Sequence, residues 1–208
     1  TNIGAYAFAS CGLLRNVILG NGVQKIENHT FFSCVSLENI TMPDGVTSIG
    51  EYAFNVCKRL KSIIIPNRVE SIGQYAFYSC TSLTSVTIPG SVQEIGEFAF
   101  SDCDSLENVM ISNGVTSIGN SAFSNCTLLK TIAIPDSVTS IGSDAFSYCD
   151  SLTSVSIGNS VKSIEYGAFQ WCGSLASVEL GNGLTSVGSK AFYHCDSLTS
   201  IAIPDSVT

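Results

Sequence analysis

The chain has 208 residues, 45% of them hydrophobic and 12% charged, which is enough length and apolar content for a substantial core. These values exclude disorder as the main state, and no apolar run reaches the roughly 18 to 20 residues that a membrane-spanning helix needs. The 17 acidic and 9 basic residues give a net charge of −8, whereas nucleic-acid binding needs clustered Lys and Arg. We therefore expect neither a nucleic-acid partner nor membrane insertion.

A single sequence repeat runs through the whole chain. The cysteines recur at every twenty-third position, and they are Cys11, Cys34, Cys57, Cys80, Cys103, Cys126, Cys149, Cys172 and Cys195. A phenylalanine stands three residues before each cysteine, and a leucine stands three residues after it. With Ile3 as the first position, repeats start at residues 3, 26, 49, 72, 95, 118, 141, 164 and 187, and we expect residues 1–208 to form a single domain.

Each repeat is too small to fold by itself. Its pattern, I-G-x-x-A-F-x-x-C-x-x-L-x-x-V-x-I-P-x-x-V-x-x, holds eight apolar positions, whose burial contributes roughly 16 kcal/mol. Ordering the backbone of one repeat costs on the order of 23 to 46 kcal/mol. Neighbouring repeats must therefore share one core and their backbone hydrogen bonds, which predicts a solenoid.

Three elements are predicted along each repeat. Apolar residues at a spacing of three to four, as in residues 99–106, predict one or two turns of α- or 3₁₀-helix. Alternation over residues 83–88 predicts a short strand, which Pro89 ends because proline has no backbone donor. Residues 92–96 are long enough for one extended bridge. We thus expect a right-handed α/β solenoid of nine 23-residue coils, with a parallel β-sheet on its concave side.

The repeat differs from the ordinary leucine-rich signature, because Pro-x-x-Val replaces the Asn-x-Leu that follows L-x-x-L-x-L. In all nine copies it resembles the BspA-type leucine-rich repeat family. In the fourth repeat the residues that carry this resemblance are Ile72, Gly73, Ala76, Phe77, Cys80, Leu83, Val86, Ile88, Pro89 and Val92. The resemblance implies a secreted or cell-surface protein, from bacteria or some protists, whose array serves adhesion and protein recognition.

The column of cysteines predicts buried free thiols. Coils in a parallel stack lie about 4.8 Å apart, a distance that permits disulfides, but equivalent cysteines point inward in parallel and an odd number cannot all pair. A straight row also fails to surround one metal ion with four thiolates. Some disulfide bridges, and metal or redox work, stay open as alternatives at this point. We expect no cofactor.

Residues suited to catalysis are scarce. The two histidines, His29 and His194, are seven repeats apart, so they do not share a site. The sequence has no nucleophile elbow, zinc-protease motif or phosphate-binding loop. We therefore expect no enzyme activity in this segment.

Two columns of outward-facing residues are candidate binding surfaces. Position 16 of the repeat faces away from the core on the predicted strand, and its first five members are Ile18, Thr41, Ile64, Thr87 and Met110. Position 4 carries an aromatic ridge in the first five repeats, made of Tyr6, His29, Tyr52, Tyr75 and Phe98. The alternatives are ordinary strand propensity for the first column, and ring-on-ring packing at the coil edge for the second.

The leading functional hypothesis is a non-catalytic array that binds an extracellular protein through one of these surfaces. Its alternatives are a carbohydrate-binding module that uses the tyrosines, and a passive stalk that presents another domain. Neither end of the sequence has the polar character of a cap, and solenoids need terminal caps for solubility. We therefore expect the native protein to be longer than this segment, or its ends to associate.

Overall fold

The first sheet of the fold joins all nine repeats. The computed structural model describes residues 2–208, which form a parallel β-solenoid whose coils follow the period of the repeat. Neighbouring strands of this sheet pair in register, so that Ile26 lies between Ile3 and Ile49. The strands are β1 (Asn2–Ile3), β3 (Lys25–Ile26), β5 (Ser48–Ile49), β6 (Ser71–Ile72), β8 (Glu94–Ile95), β10 (Ser117–Ile118), β12 (Ser140–Ile141), β14 (Ser163–Ile164) and β16 (Ser186–Val187). The short bridge predicted for residues 92–96 is thus one strand of the sheet that unites the molecule.

The second sheet contains the strand predicted from the alternating residues. Its members are β2 (Asn16–Ile18), β4 (Asn39–Thr41), β7 (Ser85–Ile88), β9 (Asn108–Ile111), β11 (Thr131–Ile134), β13 (Ser154–Ile157) and β15 (Ser177–Glu179). This second sheet is interrupted: β7, β9, β11, β13 and β15 form one parallel part and β2 pairs with β4 in another, while the third repeat between them contributes a single bridge from Ser62 to Ser85. Strands of three or four residues have few hydrogen bonds, so a small shift of one coil removes the pairing. Pro89 lies outside β7, as predicted.

The predicted helical turns are absent, and this part of the sequence prediction was wrong. Residues 99–106 and their equivalents are successive tight turns, and residues 2–208 contain no helix. The amides there alternate between partners: the N–H of Ala99 donates to the Gly96 carbonyl of its own coil, whereas the N–H of Phe100 donates to the Ala122 carbonyl of the next coil. In a helix, each of these amides would donate to a carbonyl of its own coil. Because every second amide donates to the next coil instead, the segment forms tight turns and not a helix.

A left-handed residue at positions 4 and 8 of each repeat accompanies this alternation. Phe98 has a φ of 52° and Asp102 a φ of 57°, and the equivalent residues of every repeat are also left-handed. Of these eighteen positions, Gly167 is the one glycine. Such φ values are uncommon for other residues and most unusual for a β-branched one such as Val56. The hydrogen bonds between coils must therefore offset the strain.

One apolar core runs along the inside of the coils. Phenylalanine rings at position 6 stack in parallel from Phe8 to Phe192, with centroids 5.0–5.5 Å apart. The rings from Phe31 to Phe169 are fully buried, while Phe8 in the first coil is 39% exposed. Alanine, cysteine and leucine at positions 5, 9 and 12 are buried beside them in the central repeats. The shared core predicted from the repeat is thus present.

Glycine at position 2 lets adjacent coils approach closely. A β-carbon placed on Gly96 would lie 2.7 Å from the carbonyl carbon of Gly73, and one placed on Gly73 would lie 2.6 Å from the amide nitrogen of Glu51. Neither glycine has a positive φ, so the close contact, rather than the backbone conformation, requires the absence of a side chain.

The last predicted coil is incomplete as a structural unit. The nine strands of the first sheet delimit eight full turns, and residues 200–203 of the ninth repeat are not in a strand. Within residues 2–208 there is also no helix of the length and hydrophobicity needed to cross a membrane.

Candidate binding surfaces

The outer face of the second sheet, which we call the sheet face, displays the first predicted column. Alternation along β7 turns Val86 and Ile88 into the core and exposes Ser85 and Thr87. Pairing of Ile18 with Thr41, and of Thr87 with Met110, places position-16 side chains side by side on neighbouring strands. All five predicted members of this column are exposed, although Ile64 itself lies outside the strands.

Three members of the sheet face are unusually exposed for apolar side chains. Ile18 is 86% exposed, Ile64 is 83% exposed and Met110 is 63% exposed, although the residues that alternate with them along the chain are buried or half-buried. Ile64 borders a shallow depression that Ser62 and Thr87 also line. Exposed apolar residues with no role in the core are typical of contact surfaces when they share a face.

Basic side chains flank the first part of the sheet face. Arg15 and Lys61 stand at position 13, just before the strand position, and both are exposed. Glu38 holds the same position in the intervening repeat, where its carboxylate lies 3.9 Å from the Arg59 guanidinium. One acidic group thus offsets part of a basic rim around the apolar residues.

The aromatic ridge is a continuous stack of rings. Successive centroids of Tyr6, His29, Tyr52, Tyr75 and Phe98 are 4.4, 4.7, 4.8 and 4.7 Å apart, with interplanar angles of 2–15°. Tyr6 at the start is 59% exposed, and the other four are half-buried. The rings therefore cover one another's faces and leave mainly their edges to solvent. This is the ring-on-ring packing that the sequence left as an alternative.

The two histidines belong to different surroundings. The imidazole of His29 lies between Tyr6 and Tyr52, and its Nδ1 has no hydrogen-bond partner among residues 2–208. The imidazole of His194 stacks on Trp171 with centroids 3.9 Å apart, and its Nδ1 lies 3.6 Å from the carboxylate of Asp196. Both histidines thus contact aromatic rings, and the two sites are separate.

A second aromatic group, which we call the tryptophan patch, was not among the predicted sites. It consists of Tyr148, Tyr166, Trp171, Lys190, Tyr193 and His194. Tyr148, Trp171 and His194 share position 8 in the last three repeats, but the other members come from positions 3, 4 and 7, so no single column of the repeat reveals the whole group. The column of rings at position 8 is the signal that the sequence offers, and only the structure shows that Tyr166, Lys190 and Tyr193 join it.

The buried cysteines form a ladder of free thiols. From Cys34 to Cys195, each S–H donates to the carbonyl of the phenylalanine 26 residues earlier, at 3.0–3.3 Å. All nine cysteines are free, and Cys11 is the exposed one. Burial raises the pKa of the Cys34 thiol to about 11 and that of Cys103 to about 12, because the interior disfavours a thiolate. These thiols therefore pack the core and bind backbone carbonyls.

A parallel solenoid of short, equal coils, with an apolar core and an exposed strand face, is the structure of a leucine-rich repeat protein. The family model described as BspA type leucine-rich repeat region matches residues 1–128 and 93–208. These two matches together span the whole chain. The chain belongs to the BspA-type leucine-rich repeat family, as its repeat predicts.

Solved structures of bacterial leucine-rich repeat proteins resemble this chain. A leucine-rich cell surface protein from Faecalibacterium prausnitzii is 29% identical, with a TM-score of 0.71, and the match covers 100% of this chain and 72% of that one. A leucine-rich repeat protein from T. pallidum is 31% identical, with a TM-score of 0.64 and coverage of 89% and 78%. One from Bacteroides ovatus is 28% identical, with a TM-score of 0.56 and coverage of 98% and 70%. No curated protein matches the chain significantly.

Proposed function

We propose that the chain is a non-catalytic binding array of a secreted or cell-surface protein, and that its sheet face recognises an extracellular protein. The observation that carries this proposal is the exposure of Ile18, Ile64 and Met110, which occupy the same position in the first, third and fifth coils. These side chains are two coils apart, or roughly 10 Å at the usual strand spacing. Apolar anchors on a preorganised surface bind with little loss of conformational entropy.

The charges around the sheet face suggest what kind of surface the partner presents. Arg15 and Lys61 flank the apolar residues of the first three repeats. A partner with a small apolar centre and an acidic rim would therefore be complementary to this end of the face.

The proposed location follows from relatives. The chain belongs to the BspA-type family, and the Faecalibacterium prausnitzii structure that it resembles over its full length is described as a cell surface protein. A surface location places the sheet face where extracellular proteins can reach it.

Glycan binding by the aromatic ridge is the weaker alternative. Sugars stack on open ring faces, but the faces of His29, Tyr52 and Tyr75 are covered by the neighbouring rings of the ridge. A passive stalk has one observation in its favour, the continuous nine-stranded sheet. Nine strands at the usual spacing form a rod on the order of 40 Å long.

A binding screen with matched variants tests the proposal. The immobilised chain is probed against an array of purified secreted and surface proteins, and each binder is measured again with the triple variant Ile18→Ala, Ile64→Ala and Met110→Ala. We expect an affinity loss of about tenfold or more, because each removed anchor contributes on the order of 1 kcal/mol.

The control for this screen lies on the same face. The triple variant Thr131→Ala, Ser156→Ala and Ser177→Ala changes exposed polar residues of the later repeats and should bind normally. If no protein binds, or if both triple variants bind alike, the sheet-face proposal is wrong and the stalk becomes the better account. Binding to a glycan array that the substitutions Tyr52→Ala and Tyr75→Ala abolish would instead support the carbohydrate alternative.

A further inference from the structure

The tryptophan patch is one connected aromatic surface. The Trp171 ring lies 6.0 Å from Tyr148, 5.8 Å from Tyr193 and 3.9 Å from His194, measured between centroids. Lys190 links Tyr166 to the group, because its ammonium lies 5.5 Å from the Tyr166 centroid and 5.6 Å from that of Tyr193. The patch therefore spans the last three repeats at the edge where the tight turns run.

The rings of the patch are exposed rather than packed into the core. Tyr148 and Tyr166 are each 42% exposed, Trp171 is 39% exposed and Tyr193 is 47% exposed. Together these rings present on the order of 400 Å² to solvent, a size at which exposed apolar patches are often functional. Trp171 is the single tryptophan of the chain. Tryptophan and tyrosine are also the residues that dominate binding energy at protein interfaces.

The charges around the patch select a cationic ligand. Residues 71–208 contain twelve acidic and three basic side chains. The carboxylate of Asp196 lies beside His194, and the Asp144 side chain, which accepts a hydrogen bond from Gln170, contributes to the field at Lys190. Aromatic faces bordered by carboxylates attract ammonium and guanidinium groups.

The chain already places a cation on these rings. The ammonium of Lys190 lies 5.5 and 5.6 Å from the two tyrosine centroids, inside the limit of about 6 Å for a cation–π contact. Lys190 is exposed and its ammonium also hydrogen-bonds the Tyr166 side chain, so contacts with the tyrosines rather than burial hold it there. This side chain shows the position that a partner's cation would take.

We propose that the tryptophan patch is a docking surface for a basic segment of a partner protein, whose arginine or lysine side chains replace the ammonium of Lys190 over the rings. The partner's cations bind the ring faces of Tyr166 and Tyr193, and the carboxylates of Asp144 and Asp196 neutralise the remaining positive charge. This surface shares no residue with the sheet face, so the two binding roles are independent.

The test uses the 208-residue chain and a synthetic octapeptide of alternating arginine and serine. Isothermal titration measures the affinity, and Trp171 fluorescence reports contact at the patch. An octapeptide of alternating glutamate and serine and a neutral hexasaccharide are the comparison ligands. We expect the basic peptide to bind and to change the fluorescence, and the other two to do neither.

Two comparisons between variants locate the site. Trp171→Ser and Tyr193→Ser should each lower the affinity for the basic peptide by roughly fivefold or more. Tyr6→Ser, which removes an exposed ring of the aromatic ridge, should leave this affinity unchanged. Lys190→Gln should strengthen binding several-fold, because it removes the internal competitor. Lys162→Gln removes the same charge elsewhere in the acidic half and should change the affinity far less.

Several outcomes would overturn the proposal. They are preferential binding of the neutral hexasaccharide, no binding of the basic peptide at millimolar concentration, or equal effects of Lys190→Gln and Lys162→Gln. Circular dichroism of each variant separates loss of binding from loss of folding. The sheet-face triple variant should bind the basic peptide normally, so failure here and failure of the proposed function are distinguishable.

Discussion

The carbonyls of four buried phenylalanines, Phe31, Phe54, Phe77 and Phe123, each accept two donors, and one of the two is a cysteine thiol. The Phe77 carbonyl receives the N–H of Cys80 from its own coil at 3.2 Å and the S–H of Cys103 from the next coil at 3.3 Å. A buried carbonyl without a partner costs stability, and cysteine is small and apolar enough to supply the donor without enlarging the core. This explains why cysteine recurs at position 9 without forming a disulfide.

Thiol labelling tests this view of the cysteines. We expect iodoacetamide at pH 8 to modify the native chain at Cys11 alone, because it is the exposed cysteine, and to modify all nine cysteines after unfolding in urea. Mass spectrometry counts the adducts, and the Cys11→Ser variant should give none in the native state. Fewer than nine adducts in urea without reductant would reveal disulfides, and several native adducts would show that the coils open.

At the scale of the element, the conformation of each coil depends on the hydrogen bonds that it makes with neighbouring coils. Every second amide of the turn segment binds the next coil, as Phe98 does with Asn120 and Phe100 with Ala122. The glycines at position 2 bring adjacent backbones within a distance that a β-carbon would not permit. The turns and the first sheet therefore depend on each other, since both need the same close spacing.

Glycine at position 2 should be sensitive to the smallest substitution. Gly96→Ala places a β-carbon 2.7 Å from backbone atoms of the preceding coil, and we expect it to lower the free energy of unfolding by about 2 kcal/mol. Gly173→Ala is the matched control, because a β-carbon there meets nothing within 4 Å and its φ is not positive. Urea titration of both variants measures the difference. Equal stabilities would show that the coils do not approach as closely as described.

At the scale of the whole molecule, the solenoid carries its functional candidates on different repeats. The exposed apolar residues of the sheet face and six of the nine basic side chains lie in the first five repeats, whereas the tryptophan patch lies in the last three. Coils contact only their neighbours, so distant surfaces can change independently while the core stays constant. The two proposed binding surfaces can thus vary separately.

The column of buried thiols should make the whole molecule sensitive to alkali. Burial raises the pKa of the eight interior thiols above the ordinary 9.0, and a hydrogen bond with Cys149 is the largest cause at Cys172. Below about pH 9 both states keep these protons, so this contribution is fully present. As the pH rises further, the unfolded chain loses protons that the native chain retains, and the free energy of unfolding falls by up to about 1.4 kcal/mol per pH unit for each such thiol.

The measurement is the urea midpoint between pH 8 and pH 11 in the presence of a reductant. We expect a steep decline that begins near pH 9, and a shallower one in the variant Cys80→Ala, Cys103→Ala and Cys126→Ala, which has fewer thiols to titrate. A midpoint that does not change up to pH 10.5 would contradict the burial of the thiols as neutral groups.

Periodicity was sufficient to predict the solenoid, its register and its core. A constant period without insertion places equivalent residues side by side, so the phenylalanine stack, the cysteine column and the exposure of Ile18 and Ile64 all follow from counting. The helical turns were predicted wrongly, because spacings of three and four are shared by helices and by runs of tight turns. The two conformations are distinguished only by which carbonyl accepts each amide hydrogen bond, and for Phe100 that carbonyl is in another coil.

The sequence by itself determined which residues lie inside, how long each coil is and which family the chain belongs to. The tertiary structure decided how many strands each sheet joins and that the rings of the aromatic ridge cover one another's faces. It also decided that Trp171, Tyr193 and Lys190 lie together in one patch. The physical reason is that burial depends on residue type and period, which the sequence shows directly. Contacts between different positions of neighbouring repeats depend instead on backbone angles, and these are set by hydrogen bonds between coils.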